Sequence, residues 1–231
     1  MKNIGIIGAM NEEIVLLKEK ADIISSKEIV GLEFHMGKMH GNSVVLVCSG
    51  IGKVNAAVCT QLLIDMYGVD YVINVGVAGA LVKELNIGDI VISSDVVQHD
   101  MDCCGFGYEP GIIPRLGCSF FVADPELVRM AREACESVTK KKAIVARIAS
   151  GDQFISDSAA KSRIRNTFKA CCVEMEGAAI AQTSWLNKIP FVIIRAISDK
   201  ANEEATVAFD KFVKIAAKNS SDAVEEIVKA I

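Results

Sequence analysis

The stretch NIGIIGAMNEEIVLLKEKA, residues 3–21, contains the two patterns that decide the fold class of this chain. Its first seven residues are almost continuously apolar, which predicts a short buried strand. Ile14, Leu16 and Leu17 then recur at helical spacing, and Asn11 is the expected N-cap of that helix. A strand that leads directly into a helix is typical of α/β proteins, in which helices cover a sheet.

The same alternation continues along the chain. Further strands are predicted within residues 32–50 (two, joined by a turn at Gly41-Asn42), 71–80, 89–100, 143–152, 171–176 and 190–199. Helices are predicted at residues 53–68, 124–141, 177–187 and 205–231. Because no linker, internal repeat or low-complexity segment divides these elements, residues 1–231 are predicted to form one domain whose sheet is covered on both faces by helices.

The composition excludes several classes of protein. With 231 residues and 51% hydrophobic content, the chain can bury a large core. The net charge of −4 and the lack of a basic stripe disfavour nucleic-acid binding. No apolar run is long enough to span a membrane, and the N-terminal apolar stretch, which charge soon follows, is interpreted as a strand rather than a signal peptide. We therefore expect a cytoplasmic protein that binds neither membrane nor nucleic acid.

The eight cysteines do not indicate a disulfide scaffold, because they show no paired C-x-x-C spacing. The segment HDMDCC, residues 99–104, has the residue types of a metal site. Soft thiolates beside hard carboxylates favour no single metal, however, and no second His or Cys cluster completes a tetrahedral set. The segment is interpreted as a polar loop, and no metal site is predicted.

Polar or glycine-rich residues follow many of the predicted strands, at the sheet edge where α/β proteins bind ligands. Standard motifs are missing there. Gly50-Ile51-Gly52 lacks the third glycine of a dinucleotide fingerprint, Gly52-Lys53 precedes Val54 instead of the Ser or Thr of a P-loop, and no G-x-S-x-G elbow occurs. The nucleotide-binding and serine-hydrolase motifs therefore do not explain this edge.

Carboxylates are the reactive groups that remain. In CCVEMEGAAIA, residues 171–181, Glu174 and Glu176 interrupt an otherwise apolar segment, although acidic side chains are rarely buried without a partner. Cleavage of a glycosidic bond needs carboxyl groups to activate water, stabilise an oxocarbenium-like transition state and protonate the leaving group. A carboxylate also accepts hydrogen bonds from a sugar diol. This pattern favours a hydrolase without identifying the substrate; the alternative is a buried ion pair of these acids with Arg195.

Five motifs, in order and with similar spacing, resemble those of the 5'-methylthioadenosine/S-adenosylhomocysteine nucleosidases, a family within the purine nucleoside and uridine phosphorylase group. They are IGIIGAMNEEI (4–14), SGIGKVNAA (49–57), GDQFI (151–155), VEMEGAAIA (173–181) and RAISDKA (195–201). The resemblance implies a three-layer αβα sandwich with a central mixed sheet, a homodimer, and no metal or organic cofactor. It also implies hydrolysis of methylthioadenosine and S-adenosylhomocysteine to adenine and a 5-thioribose product, in methionine salvage and the recycling of S-adenosylmethionine by-products.

The resemblance also implies roles for individual residues. Glu13 matches the residue that positions and activates the attacking water, Asp199 matches the acid that donates to the purine, and Arg195 matches a residue near the water. Ser198 is expected to orient Asp199. The residues matched to ribose contacts are Glu176, Met175 and Glu174, and those matched to the adenine pocket are Phe154, Ile155, Ala78 and Gly79.

Further matches concern the 5'-thio substituent. An apolar surface for it is expected from Met10, Ile51 and Phe209. The segment CCGFGYEPGIIP, residues 103–114, is interpreted as a loop that crosses a dimer interface and lends residues to the neighbouring subunit: Cys103, Phe106, Tyr108 and Pro114.

The chain departs from the family at residues 76–80, GVAGA, where a serine usually follows the first glycine. Val77 removes that hydroxyl, which puts the catalytic rate and the preferred nucleoside in question. Two other functions stay open at this point, a phosphorylase of the same fold and a non-catalytic nucleoside-binding protein. The sequence does not rank methylthioadenosine, S-adenosylhomocysteine, 5'-deoxyadenosine and aminodeoxyfutalosine as substrates.

Overall fold

The computed structural model describes residues 2–138 and 143–231. The strands are β1 (Asn3–Gly8), β2 (Asp22–Ile29), β3 (Leu32–Met39), β4 (Asn42–Cys48), β5 (Tyr71–Ala80), β6 (Ile90–Gln98), β7 (Phe120–Val122), β8 (Ala143–Ser150), β9 (Cys172–Glu174) and β10 (Phe191–Asp199). The helices are α1 (Asn11–Lys20), α2 (Lys53–Tyr67), α3 (Pro125–Val138), α4 (Ser158–Phe168), α5 (Gly177–Asn187) and α6 (Ala205–Ala230).

All strands belong to one sheet with the order β2-β3-β4-β1-β5-β9-β8-β6-β10, and β7 is added to β6. Parallel pairs (β1 with β4 and β5, β5 with β10, β8 with β6 and β9) stand beside antiparallel ones (β2 with β3, β3 with β4, β5 with β9, β6 with β7 and β10). The predicted mixed α/β sheet is confirmed. Because β10 also pairs with β5, strands β5, β9, β8, β6 and β10 close into a barrel-like ring, so the three-layer sandwich is not confirmed.

Helices cover the apolar strands, as the continuous apolar patterns predict. Every residue of β10 is buried, and so is every residue of β5 after Tyr71. Helix α6 packs against β5 and β10 and also contacts α1 and α3, whereas α2 packs against α5, which contacts β6 and β8. None of the helices in the described residues combines the length and the apolar character that a membrane span requires.

Some local predictions need correction. Asn11 is the first residue of α1 and not its N-cap; Met10 takes the cap position in an extended conformation, and the Glu13 carboxylate accepts its N–H. Strand β2 was missed because almost all of it is exposed, which leaves no apolar alternation to detect. Helix α4 was also missed, although the Asp157 carboxylate caps it by accepting two backbone N–H groups. Residues 139–141 of the predicted third helix lie outside the described residues.

The turn after β9 is the local feature that matters most for function. The predicted strand at residues 171–176 is shorter in the structure, because β9 ends at Glu174 and α5 begins at Gly177. Met175 and Glu176 therefore leave the sheet and stand at the start of a helix. The ends of β1, β5 and β10 lie at the same edge of the sheet, which brings together segments from distant parts of the sequence.

Candidate active site

A cavity of about 440 Å³ lies at this edge of the sheet. Twelve residues that the sequence analysis named line it: Met10, Glu13, Ile51, Ala78, Gly79, Phe154, Glu174, Met175, Glu176, Ser198, Asp199 and Phe209. Three others were not predicted to contribute, Ala9, Val173 and Thr206, and the remaining one is Val77, which the sequence singles out as the departure from the family's serine. Thr206 precedes Phe209 by three positions on α6, so helical periodicity was the signal that could have found it.

Glu13 is buried and held by backbone groups from two strand ends. Its Oε2 accepts the N–H groups of Ala9 and Met10 at 2.7 and 3.0 Å, and its Oε1 accepts that of Val77 at 3.1 Å. Burial raises the pKa of Glu13, although the charge of Arg195 and these three N–H groups act against it. A buried carboxyl group with a raised pKa is suited to accept a proton from water.

Two features of β5 explain how Glu13 reaches this position. A Cβ at Gly76 would lie only 2.7 Å from Glu13 Oε1, so a side chain there would displace the carboxylate. The neighbouring Val77 stands where the family usually has a serine, yet it supplies its backbone N–H to Glu13. The hydrogen bond between the N–H of residue 77 and Glu13 therefore does not depend on the missing serine hydroxyl.

Glu174 forms a buried ion pair with Arg195, the alternative that the sequence had left open. Its Oε2 accepts from Arg195 Nη2 and Nε at 2.5 and 3.2 Å and from the Gly177 N–H at 2.7 Å, while its Oε1 accepts the hydroxyl of Ser150. Arg195 also donates to Asn74 Oδ1. Both oxygens of Glu174 are thus occupied by protein donors, which makes Glu174 a support for its neighbours.

Arg195 does not line the cavity but lies behind it, on the side of Glu13. Arg195 Nη1 and Glu13 Oε1 lie 3.2 and 2.7 Å from the same point, an ideal Cβ position on Gly76. The charge of Arg195 lowers the pKa of Glu13. Arg195 therefore favours the ionised form of the Glu13 carboxyl group.

Glu176 is the less constrained acid of the pair. Its Oε1 accepts the Gly52 N–H at 2.8 Å, and within the described residues its Oε2 makes no hydrogen bond. Burial, and then the charge of Glu174, raise the pKa of Glu176 to about 8, although the Gly52 N–H acts against them. The free oxygen leaves Glu176 able to bind a ligand, in contrast to Glu174.

The Glu176→Gln variant is expected to unfold less readily than the wild type at alkaline pH. The folded protein holds the Glu176 proton more tightly than the unfolded chain does, so this group lowers stability as the pH rises from 4.5 to about 8. A shift of one pKa unit corresponds to about 1.4 kcal/mol. Urea unfolding at pH 5 and pH 8.5 should show that the free energy of unfolding of the variant, relative to that of the wild type, increases by at least that amount between the two pH values. An unchanged relative free energy would contradict the raised pKa of Glu176.

Asp199 is buried at the end of β10. Its Oδ1 accepts the Ala201 N–H at 2.8 Å, and its Oδ2 lies 2.9 Å from the Ser198 hydroxyl. Burial raises the pKa of Asp199, and the Ala201 N–H, the Ser198 hydroxyl and the charge of Lys161 oppose this. A Cβ at Gly79 would lie 2.7 Å from Oδ1, so the absent side chain leaves room for the acid.

An apolar wall faces these acids. Phe154 and Phe209 meet edge to face, with ring centroids 5.8 Å apart and an interplanar angle of 83°. Phe154 and Ile51 are half exposed, so this wall stays accessible from solvent. Ile155, which the sequence placed in the adenine pocket, is buried in a neighbouring apolar cluster with Leu81 and does not line the cavity.

The residues predicted to serve a neighbouring subunit, Cys103, Phe106, Tyr108 and Pro114, do not line the cavity of their own chain. Phe106 is 86% exposed, and Tyr108 lines a separate depression together with Ile113 and Phe120. Across the described residues, His, Cys, Asp and Glu side chains nowhere gather in threes around a point that could hold a metal ion.

Comparison with known proteins agrees with this geometry. The family model of the phosphorylase superfamily matches residues 3–229, so the fold and site define a member of that superfamily. A nucleosidase from Staphylococcus carnosus (strain TM300), named for 5'-methylthioadenosine and S-adenosylhomocysteine, is 45% identical over 229 residues, which cover 99% of this chain and 100% of that protein. The chain therefore belongs to the 5'-methylthioadenosine/S-adenosylhomocysteine nucleosidase family and is an enzyme, an N-glycosyl hydrolase.

Two solved structures of such nucleosidases are closely similar. The Neisseria meningitidis protein in complex with methylthio-immucillin-A has a TM-score of 0.97 and 42% identity, with 100% of both chains covered. The Colwellia psychrerythraea 34H protein in complex with adenine has a TM-score of 0.95 and 43% identity, with 98% of this chain and 94% of that chain covered. The predicted family and the nucleoside phosphorylase-like fold are thus confirmed.

Proposed function

We propose that this enzyme hydrolyses the N-glycosidic bonds of methylthioadenosine and S-adenosylhomocysteine, releasing adenine and a 5-thioribose product for methionine salvage and the recycling of S-adenosylmethionine by-products. The observation that carries this proposal is the meeting of Glu13, Glu176 and Asp199 on one cavity, each in a different environment. The ligands of the two related structures, adenine and methylthio-immucillin-A, support an adenine nucleoside as the substrate.

In the proposed mechanism, Glu13 accepts a proton from the attacking water, and Asp199 donates one to the leaving adenine. Glu176 binds the ribose hydroxyls through its free Oε2, and Met175 packs against the sugar. Glu174 acts as a positioning residue, since its oxygens are occupied by Arg195, Ser150 and backbone N–H groups. No step requires a metal ion or an organic cofactor.

We propose that different residues of the apolar wall contact the two ends of the substrate. Phe154 stacks on the adenine, next to the backbone groups of Ala78, Gly79 and Ile155, and Ser198 orients Asp199 by the hydrogen bond between them. The 5'-thio substituent lies against Met10, Ile51 and Phe209, which share the cavity. The preference among nucleosides that differ in the 5' substituent therefore depends on Met10, Ile51 and Phe209.

A phosphorylase is disfavoured by the charge of the cavity. Phosphate binding generally requires arginine clamps or free helix N-termini. No Lys or Arg occurs among the described residues that line the cavity, and Arg195 is already paired with Glu174. The first strand leads instead to Glu13, whose negative charge would repel phosphate.

Product analysis with methylthioadenosine, in the presence and in the absence of phosphate, tests this function. We expect free methylthioribose and adenine at the same rate under both conditions. A phosphate ester that forms only with phosphate would establish a phosphorylase, and a lack of turnover despite binding would establish a binding protein.

We also propose that residues 1–231 form one catalytic unit of a cytoplasmic homodimer, in which the loop at residues 103–114 completes the partner's 5' pocket. The exposure of Phe106 supports this, and so do exposed apolar side chains on the packed helices α2 and α5, among them Val54, Val58 and Leu186. Several exposed apolar side chains on neighbouring helices are typical of a surface that another protein covers.

Subunit mixing is expected to restore activity to two inactive parents. A chain with Phe106→Ala and Tyr108→Ala lacks the loop contacts, and a chain with Asp199→Asn lacks the acid. Their heterodimer should contain one intact site, so activity should reappear after subunit exchange, up to about half of the wild-type value per dimer if the sites are independent. Parents that stay inactive after exchange, verified by native mass spectrometry, would show that the loop serves its own chain.

A further inference from the structure

Glu176 depends on a single anchor, unlike the other buried acids of the cavity. Glu13 accepts three backbone N–H groups, and Glu174 accepts from Arg195, Ser150 and two backbone N–H groups. Glu176 accepts only the Gly52 N–H among the described residues, at 2.8 Å. Its position is thus set by the placement of Gly52, the residue before α2.

Gly52 is in turn fixed by an acid from another part of the chain. Its backbone φ of +97° lies in the region that favours glycine, and its residue type supplies no side-chain cap for α2. Asp152 takes that role, because its Oδ1 accepts the Lys53 N–H at 2.8 Å. A Cβ on Gly52 would lie 3.1 Å from the same oxygen, so Asp152 packs directly against Gly52.

Lys53 and Asp100 close this arrangement into a ring. The Asp152 N–H donates to Asp100 Oδ2 at 2.9 Å, and Lys53 Nζ donates to Asp100 Oδ1 at 2.6 Å. The side chains of Lys53 and Asp100 are only 18% and 19% exposed, so solvent screens their ion pair less than it screens a surface pair.

The ring also reaches the helix that Glu176 precedes. Lys53 Nζ donates to Gln98 Oε1 at 2.9 Å, and Gln98 Nε2 donates to Gln182 Oε1 on α5. Glu176 is the N-cap residue of α5. The network thus connects the two segments between which Glu176 is held, the start of α2 and the body of α5.

We propose that Lys53, Asp100 and Asp152 form a positioning network that fixes the Gly52 N–H and thereby holds Glu176 in its ribose-binding position. This inference rests on the proposed function, since it takes Glu176 as the group that binds the sugar. None of the three side chains lines the cavity, so each acts through Gly52 and not on the substrate.

Two consequences distinguish positioning from a general structural role. Loss of the network should weaken ligands that contain the sugar-like ring and spare adenine alone, because in the proposed binding mode Glu176 contacts the sugar and not the adenine. It should also raise the pKa of Glu176 further, since the Gly52 N–H lowers that pKa. A binding step that requires ionised Glu176 would then begin at a higher pH than in the wild type.

Calorimetry on the full-length Asp152→Ala variant with methylthio-immucillin-A and with adenine tests the proposal. We expect the inhibitor to bind about tenfold more weakly, the amount that loss of one hydrogen bond to a charged group produces, and adenine to bind within about twofold of wild type. Asp152→Asn keeps the Oδ1 acceptor for the Lys53 N–H and should restore inhibitor binding to within about threefold. Asp124→Ala removes the acid that caps α3 and serves as the matched control with no expected effect on either ligand.

Equal losses for both ligands, or no loss for the inhibitor, would overturn the positioning role. If Asp152→Ala does not fold, Lys53→Met removes the bonds to Asp100 and Gln98 and leaves the cap of α2 in place; it should weaken the inhibitor selectively, and an unselective effect would overturn the proposal. Wild-type hydrolysis of methylthioadenosine is measured in parallel. A wild type that does not hydrolyse it contradicts the proposed function, whereas an active wild type with an unaffected Asp152→Ala contradicts only the network.

Discussion

The Asp199→Asn variant is expected to lose at least about a hundredfold in kcat for methylthioadenosine while it binds the substrate almost normally. Adenine is a poor leaving group as an anion, and a proton shared with a nitrogen of its five-membered ring lets it depart as a neutral base. Asn keeps the shape of Asp199 and can still accept the Ala201 N–H, but it has no ionisable proton to give.

The environment of Asp199 explains how it keeps that proton. A free Asp titrates near 3.9, and burial at the end of β10 raises the pKa of Asp199. Because the acid must be protonated to act, kcat of the wild type should fall as the pH rises through this elevated pKa. That alkaline limb should disappear from the residual activity of Asp199→Asn.

A nitrophenyl riboside with the same 5' substituent provides the control, because its leaving group needs no protonation. We expect Asp199→Asn to hydrolyse this substrate with a much smaller loss than it shows for methylthioadenosine. Equal losses on both substrates would mean that Asp199 positions the nucleoside and does not act as its acid.

Glu13→Gln should be comparably damaging to turnover, whereas Glu176→Gln should also damage binding. Glu13 acts on water in the proposed mechanism, so its loss should lower kcat by about a hundredfold or more with little change in the affinity for an inert substrate analogue. Glu176 binds the sugar, so its loss should weaken the analogue by about tenfold as well as slow the reaction.

Calorimetry with an inert substrate analogue and steady-state kinetics separate the two cases. The Gln side chain preserves an oxygen acceptor in both variants, so each change removes mainly the capacity to ionise and to exchange a proton. If both variants bound the substrate analogue as the wild type does, the role assigned to Glu176 would be wrong. Circular dichroism and thermal melting confirm that both variants are folded.

The local elements and the family were largely predictable from the sequence. The apolar runs of β5 and β10 and the helical spacing of α1 follow from residues that are neighbours in the chain, and the structure has each of them. The motifs around Glu13, Glu176 and Asp199 also identified the family, which the comparisons confirm. Strand β2 escaped because an exposed edge strand needs no apolar alternation.

The sequence by itself determined most of the residues that line the cavity, and only the tertiary structure decided what each of them can do. Glu174 and Glu176 are two positions apart and chemically identical, yet one is saturated by Arg195 and the other keeps a free oxygen. The difference arises because, among the described residues, only the Gly52 N–H, 124 positions away, donates to the Glu176 carboxylate. The barrel-like ring of strands likewise closes through the pairing of β10 with β5, two strands that are distant in the sequence. Periodicity and motifs report local contacts, whereas burial and hydrogen bonding depend on contacts that exist only once the chain has folded.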